Sequence, residues 1–143
     1  MGSTRFPGKI MMKLDEKFTV LDYVIRQLSH SKLLENIIIA TTNLEQDDTV
    51  VQYAKDNGLA YFRGEALDVL DRYYMAAKKY KPEHVMRLTG DCPLIDPAVI
   101  DSLIEYYLSN KFDYACNTFT PTFPDGQDAW IFKYKLLVEA WEA

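Results

Sequence analysis

The run Asn36-Ile37-Ile38-Ile39-Ala40-Thr41-Thr42 constrains the fold more than any other stretch of the chain. Its β-branched residues favour extended backbone. Its hydrophobicity is continuous rather than alternating, so a strand made from it needs cover on both faces, the condition met inside a parallel sheet between helical layers. The flanking sequence supplies that cover. Upstream, Leu21, Val24, Ile25 and Leu28 fall at helical spacing behind Thr19, a suitable N-cap. Downstream, Asp47-Asp48 opens a helix through Val50, Val51 and Ala54 that Asn57-Gly58 stops.

The alternation continues to the end of the chain. A short strand is expected over Leu59–Phe62, followed by Arg63-Gly64 and a helix from about Leu67 to Tyr80 whose buried stripe is Leu70, Tyr73, Tyr74 and Ala77. Asp68 and Arg72, four apart, read as a surface ion pair, and Lys78, Lys79 and Lys81 as a solvated face. Val85–Pro97 begins as a buried strand, breaks at Gly90, presents Asp91, and restarts as a helix behind Asp96-Pro97, with Ile100, Leu103, Ile104, Tyr107 and Leu108 inward. Asp113–Cys116 and Trp130–Phe132 are strand candidates on either side of a loop over Asn117–Asp128, and a last helix begins at Leu136. No repeat or linker interrupts the pattern, which predicts one three-layer α/β domain over residues 1–143.

Bulk properties narrow the function. A net charge of -5 and a pI near 5.0 argue against a nucleic-acid partner, so an anionic ligand must be met by local positive charge. Cys92 and Cys116 have neither CxxC spacing nor further partners, and read as ordinary small residues of a reducing compartment. No run approaches the length of a membrane span and no signal-peptide pattern opens the sequence, so a soluble, cytoplasmic chain is expected.

Three places could carry chemistry. Asp91 beside Gly90 follows a strand, where ligands of open α/β sheets bind; the other reading is an Asx turn. The opening segment Met1–Lys9 holds small residues with Arg5 and Lys9, a composition suited to cradling a polyphosphate, though an inert N-terminus is the alternative. It is not a Walker loop, because Pro7 interrupts it and Ile10 stands where Ser or Thr should follow the lysine. Thr41, Thr42 and Asn43 sit at a strand exit, either to read a base or to cap a turn.

Met1-Gly2-Ser3-Thr4-Arg5-Phe6-Pro7-Gly8-Lys9, Arg63-Gly64, Asp68-Val69-Leu70-Asp71-Arg72-Tyr73 and Arg87-Leu88-Thr89-Gly90-Asp91-Cys92-Pro93-Leu94-Ile95-Asp96-Pro97 together resemble the spore coat polysaccharide biosynthesis protein F group of the cytidylyltransferase superfamily. The resemblance implies a nucleotide-diphospho-sugar transferase fold with a mixed, mostly parallel sheet. It also implies transfer from CTP to a sugar or sugar acid for a surface glycan. Gly2, Ser3, Arg5 and Lys9 would wrap the triphosphate, with Thr41, Thr42, Arg63, Gly64, Thr89 and Gly90 completing the nucleotide site. Arg5, Lys9 and Asp91 would be catalytic, Asp91 would hold Mg²⁺ with Asp125 or Asp128 as second ligand, and Arg87, Asp125 and Asp128 would meet the sugar. A homo-oligomer is compatible with this reading.

The chain departs from the family in three respects. The strand that precedes the loop in relatives is absent, the C-terminus is shorter, and Trp130 stands where relatives tend to be acidic. A glycosyltransferase using a nucleotide-sugar donor is the second reading, weakened because its metal pair is usually Asp-x-Asp and this chain offers Asp125-x-x-Asp128. An inactive truncated remnant is the third.

Overall fold

The computed structural model describes residues 6–143. Among these residues, five α-helices and five strands follow one another in the expected order: α1 (Val20–Leu28), β1 (Ile38–Thr42), α2 (Asp48–Asp56), β2 (Ala60–Gly64), α3 (Val69–Tyr80), β3 (His84–Arg87), α4 (Pro97–Ser109), β4 (Tyr114–Cys116), β5 (Trp130–Lys133) and α5 (Tyr134–Glu142). The helix starts follow local chemistry. Thr19 and Asp22 form a reciprocal capping box on α1, and Asp96 accepts the Ala98 N–H at 2.8 Å with Pro97 in the first turn of α4. Gly58, at φ 65°, follows α2 in the left-handed conformation a stop there requires.

Two apolar clusters define three layers. In one, α1 and α4 pack Val24, Leu28, Ile100, Leu103, Ile104 and Tyr107 against Ile131 and Ala115 of the sheet. In the other, Tyr74 and Ala77 of α3 and Leu137 of α5 pack against Val85 and Phe132. The register explains the division. Met86, Ile131 and Ala115 are cross-strand partners and share one face, whereas Val85, Phe132 and Tyr114 share the other. Each fully buried aliphatic side chain of these layers contributes roughly 1.5–3 kcal/mol. On the α1 side, the Tyr53 hydroxyl of α2 hydrogen-bonds the Asp22 carboxylate.

Several boundaries and faces differ from the sequence reading. The helix expected from Leu67 begins at Val69, because Asp68 uses its carboxylate to cap it by accepting the Asp71 N–H at 2.8 Å. Leu67 is left exposed, as is Leu70, and Ala76 takes the place in the buried stripe assigned to Leu70. Arg72 does not make the expected surface pair with Asp68; its Nη1 donates to the Glu65 carbonyl at 2.5 Å. The strand expected over Leu59–Phe62 runs on through Arg63 and Gly64, held by parallel pairing with Thr41 and Thr42. Leu108 is exposed rather than part of the α4 core.

Among the described residues the strands form two sheets: the parallel pair β1-β2, and the antiparallel trio β3-β5-β4. Between them lies a cavity of about 1030 Å³, lined along its length by β1 and β3 and walled by α1 and α3. The carboxyl-terminal residues Thr41, Thr42, Thr89, Gly90 and Asp91 open into it.

Candidate active site

Gly8 adopts a left-handed turn at φ 73°, and a short 3-10 turn over Lys9–Met11 follows it. This turn brings the Lys9 ammonium onto the Asp91 carboxylate as a direct ion pair, both side chains about one third exposed. The Lys9 hydrogen bond holds the Asp91 carboxyl below the usual carboxylate range, helped by the Thr89 hydroxyl and opposed by burial. Asp91 is therefore an anion at neutral pH. The structure thus joins the two sequence candidates that are furthest apart in the chain, the cationic opening loop and the acid after β3.

The turn carrying Asp91 is fixed from both sides. Thr89 Oγ1 lies 3.1 Å from Cys92 Sγ, and burial pushes the Cys92 thiol up, so it sits there as a neutral group. Gln127 bridges the turn to the long loop: its Oε1 accepts the Asp96 N–H at 2.8 Å and its Nε2 donates to the Leu94 carbonyl at 2.8 Å. Asn117 fastens the other end of that loop, donating to the Gln127 carbonyl at 2.6 Å and accepting the Ala129 N–H at 2.9 Å. Gly126 takes a left-handed conformation at φ 94°, and a Cβ there would lie 3.9 Å from the Cys92 Cβ and Sγ. Asp125 and Asp128 are close enough to Cys92 to contribute to the raised thiol pKa, which places both on the Asp91 side of the fold. Neither Gln127 nor Asn117 stands out in the sequence; the only signal is two amides in a loop rich in Pro, Gly and Asp.

Thr41 and Thr42 prove to be the framework of a buried carboxylate. Asp47, 1% exposed, accepts both hydroxyls and the Thr42 N–H on one oxygen, at 2.7, 2.6 and 2.9 Å. Burial opposes its ionisation, but the Thr42 and Thr41 hydrogen bonds outweigh it and lower the Asp47 pKa. Arg63 ties the exits of β1 and β2 together, donating to the Thr42 and Leu44 carbonyls at 2.9 and 2.8 Å and pairing with Asp48 at 2.6 Å. At Gly64 there is no room for a side chain, since a Cβ there would fall 2.9 Å from the Phe62 ring and 3.1 Å from Arg72 Cγ. Arg87 is directed elsewhere. Its guanidinium lies 4.3 Å from the centroid of the Trp130 ring, and it does not line the cavity. Gly2, Ser3 and Arg5 lie outside the described residues.

Among the described residues no group of three or more acidic, His or Cys side chains is arranged to hold a metal. The donors that Asp91, Asp125 and Asp128 offer are hard carboxylate oxygens, the kind of which Mg²⁺ takes one or two from protein. The donor set fits that ion.

Residues 1–129 match the family model described as cytidylyltransferase. An uncharacterised protein of Methanocaldococcus jannaschii is 37% identical over 99% of this chain and 56% of its own length. The spore coat polysaccharide biosynthesis protein SpsF of Bacillus subtilis (strain 168) is 36% identical over 80% of this chain and 49% of its own. The solved structure of a cytidylyltransferase from Leptospira borgpetersenii superposes with a TM-score of 0.93 at 40% identity, covering 99% of this chain and 60% of that one. A CMP:2-keto-3-deoxy-manno-octonic acid synthetase, solved with CTP, has a TM-score of 0.77 at 14% identity, covering 99% and 73%; at that identity the likeness shows the fold alone. The chain spans about half the length of the curated relatives it matches.

Proposed function

The chain belongs to the cytidylyltransferase family, and from that membership we propose that it takes part in the Mg²⁺-dependent transfer of a cytidylyl group from CTP to a sugar or sugar acid for a surface polysaccharide. The observation that carries the reading is the Lys9–Asp91 ion pair at the carboxyl ends of β1 and β3. It sets one cation and one anion where strand ends of open α/β sheets meet ligands.

In the reaction, a sugar oxygen forms a bond to the α-phosphorus of CTP, the bond from that phosphorus to the bridging oxygen breaks, and pyrophosphate leaves with the electron pair. Negative charge grows on the leaving oxygens. Lys9 stabilises it, exchanging its Asp91 partner for phosphate oxygens in the low-dielectric cleft. Asp91, with Asp128 or Asp125, would hold Mg²⁺, which would supply further neutralisation of that charge. Arg63, through the Thr42 and Leu44 carbonyls, keeps the β1 exit in position beside the nucleotide. The name of the Bacillus subtilis relative, a spore coat polysaccharide biosynthesis protein, supports a glycan acceptor.

Pyrophosphate release from CTP, measured with a panel of sugar acids and Mg²⁺, tests the proposal. Asp91→Asn should lower the rate by at least about a hundredfold, the range seen when one electrostatic stabiliser is removed; an unaltered rate would sink the role given to Asp91.

A further inference from the structure

The two segments that carry the acids diverge from one rung of the sheet. β3 and β5 are antiparallel, and their last paired residues at the carboxyl-terminal end of β3 are Arg87 and Trp130. Past that rung β3 continues through Leu88, Thr89 and Gly90 to Asp91, while Trp130 is preceded by Ala129 and Asp128. Whatever fixes the rung therefore fixes the points from which both acid-bearing segments start. Above it the segments meet again, since Asp91, Asp125 and Asp128 all act on the Cys92 thiol.

The side chains of the rung hold one another. The Arg87 guanidinium lies 4.3 Å from the centroid of the Trp130 ring, and both residues are half-buried. Among the described residues Arg87 has no carboxylate partner, so the ring is the group that receives the cation. A guanidinium is planar and weakly hydrated, which suits it to an aromatic face and makes the contact more directional than an aliphatic pair. The positions next to the rung are tied down as well. The Tyr73 hydroxyl of α3 donates to the Leu88 carbonyl at 3.5 Å, and Ala129, fully buried, has its N–H held by Asn117 at 2.9 Å. On its other side Trp130 pairs with Cys116, so the rung extends across all three strands. Arg87 does not line the cavity into which Asp91 opens, so its influence on a ligand held there passes through the strands.

We propose that Arg87 is a positioning residue: stacked on Trp130, it sets the spacing between the Asp91 turn and the Asp125–Asp128 end of the loop, so that one divalent cation is held by carboxylates from both. The inference rests on the reading of Asp91 and Asp128 as metal ligands. It assigns Arg87 a part in the reaction without contact to nucleotide or sugar, and it gives Trp130 the matching part on the other strand.

Mn²⁺ alone is the probe, because its unpaired electrons broaden the resonances of amides near it. In the parent chain the Asp91 and Asp128 amides are expected to broaden together, with one midpoint in Mn²⁺ concentration. Arg87→Gln and Trp130→Leu should each raise that midpoint about three- to tenfold, the loss of one cation–aromatic contact, and the double variant should raise it no further than either alone. Trp130→Tyr, which keeps a ring beside the cation, should stay within about twofold of the parent. Phe132→Leu, on the same face of β5, is the control for stability: it should lower the urea midpoint and leave the Mn²⁺ midpoint in place. Arg87 is half-buried, so Arg87→Gln decides the matter even if Trp130→Leu does not fold. The proposal is overturned by an unchanged Mn²⁺ midpoint in Arg87→Gln, by effects that multiply in the double variant, or by a rise in Phe132→Leu equal to that in Arg87→Gln. Broadening of neither amide in the parent chain would remove the metal reading itself, and the proposal with it.

Discussion

Replacing Asp47 by Asn tests whether the exit of β1 is held by charge rather than by shape. Asn has nearly the same volume, and its carbonyl oxygen can occupy the place where Asp47 accepts two hydroxyls and one N–H. What changes is charge. A hydrogen bond to an ionised group contributes about 1.5–3 kcal/mol against about 0.5–1.5 for a neutral one, a difference near 1 kcal/mol per bond. Three bonds converge on one oxygen and cannot all be optimal, so Asp47→Asn should cost about 2 kcal/mol at pH 7. The pH dependence follows from the lowered pKa of Asp47. Its contribution is fully present above the unfolded value of 3.8 and is lost as the pH falls through the folded value. Urea denaturation of both proteins between pH 7 and pH 3 should give curves whose separation is constant down to about pH 4 and shrinks below it. Equal stabilities at pH 7, or a separation unchanged on acidification, would refute the reasoning.

Two further substitutions examine the site. Lys9→Met keeps the length of the side chain but removes a charge-assisted contact worth about 1.5–3 kcal/mol, so calorimetric titration with CTP and Mg²⁺ should show affinity reduced about 10- to 100-fold; an unchanged Kd would remove Lys9 from the phosphate site. Gln127→Leu deletes the bridge to Asp96 and Leu94 and should cost about 1–3 kcal/mol in urea denaturation, with the cost absent if the loop holds itself in place.

The sequence carries its fold where the cause is local. Thr19, Asp96 and Pro97 act at the helix ends where their chemistry places them, and the Ile37–Ala40 run leads into the parallel strand its composition implies, although these four residues stay half-buried and line the cavity instead of being covered on both faces. What it does not carry depends on contacts between distant residues. Asp47-Asp48 opens α2 as the sequence reads, with Asp47 at the N-cap position, but the Asp47 side chain makes no cap hydrogen bond and turns back to Thr41 and Thr42, which offer it three donors. Arg72 reads as the partner of Asp68 until the loop after Gly64 brings the Glu65 carbonyl within reach. For the site, the types of Lys9 and Asp91 suggest a phosphate and a metal, but their meeting across 81 intervening positions is a property of the tertiary fold. The place of Arg87 depended on register, and pairing with Trp130 turned it towards that ring.

The loop between β4 and β5 is anchored only near its ends, by Asn117 and Gln127, while Phe119 is 95% exposed and Phe123 44% exposed. Its middle is thereby insulated from the turn that holds Asp91. Substitutions at the exposed Phe119 and Phe123 side chains leave the Asn117 and Gln127 side-chain bonds in place, because neither amide bonds to them. A fold wired in this way separates an evolvable segment from a constrained one within a dozen residues. The face it presents can change from one lineage to the next while the arrangement of charges beside it stays the same.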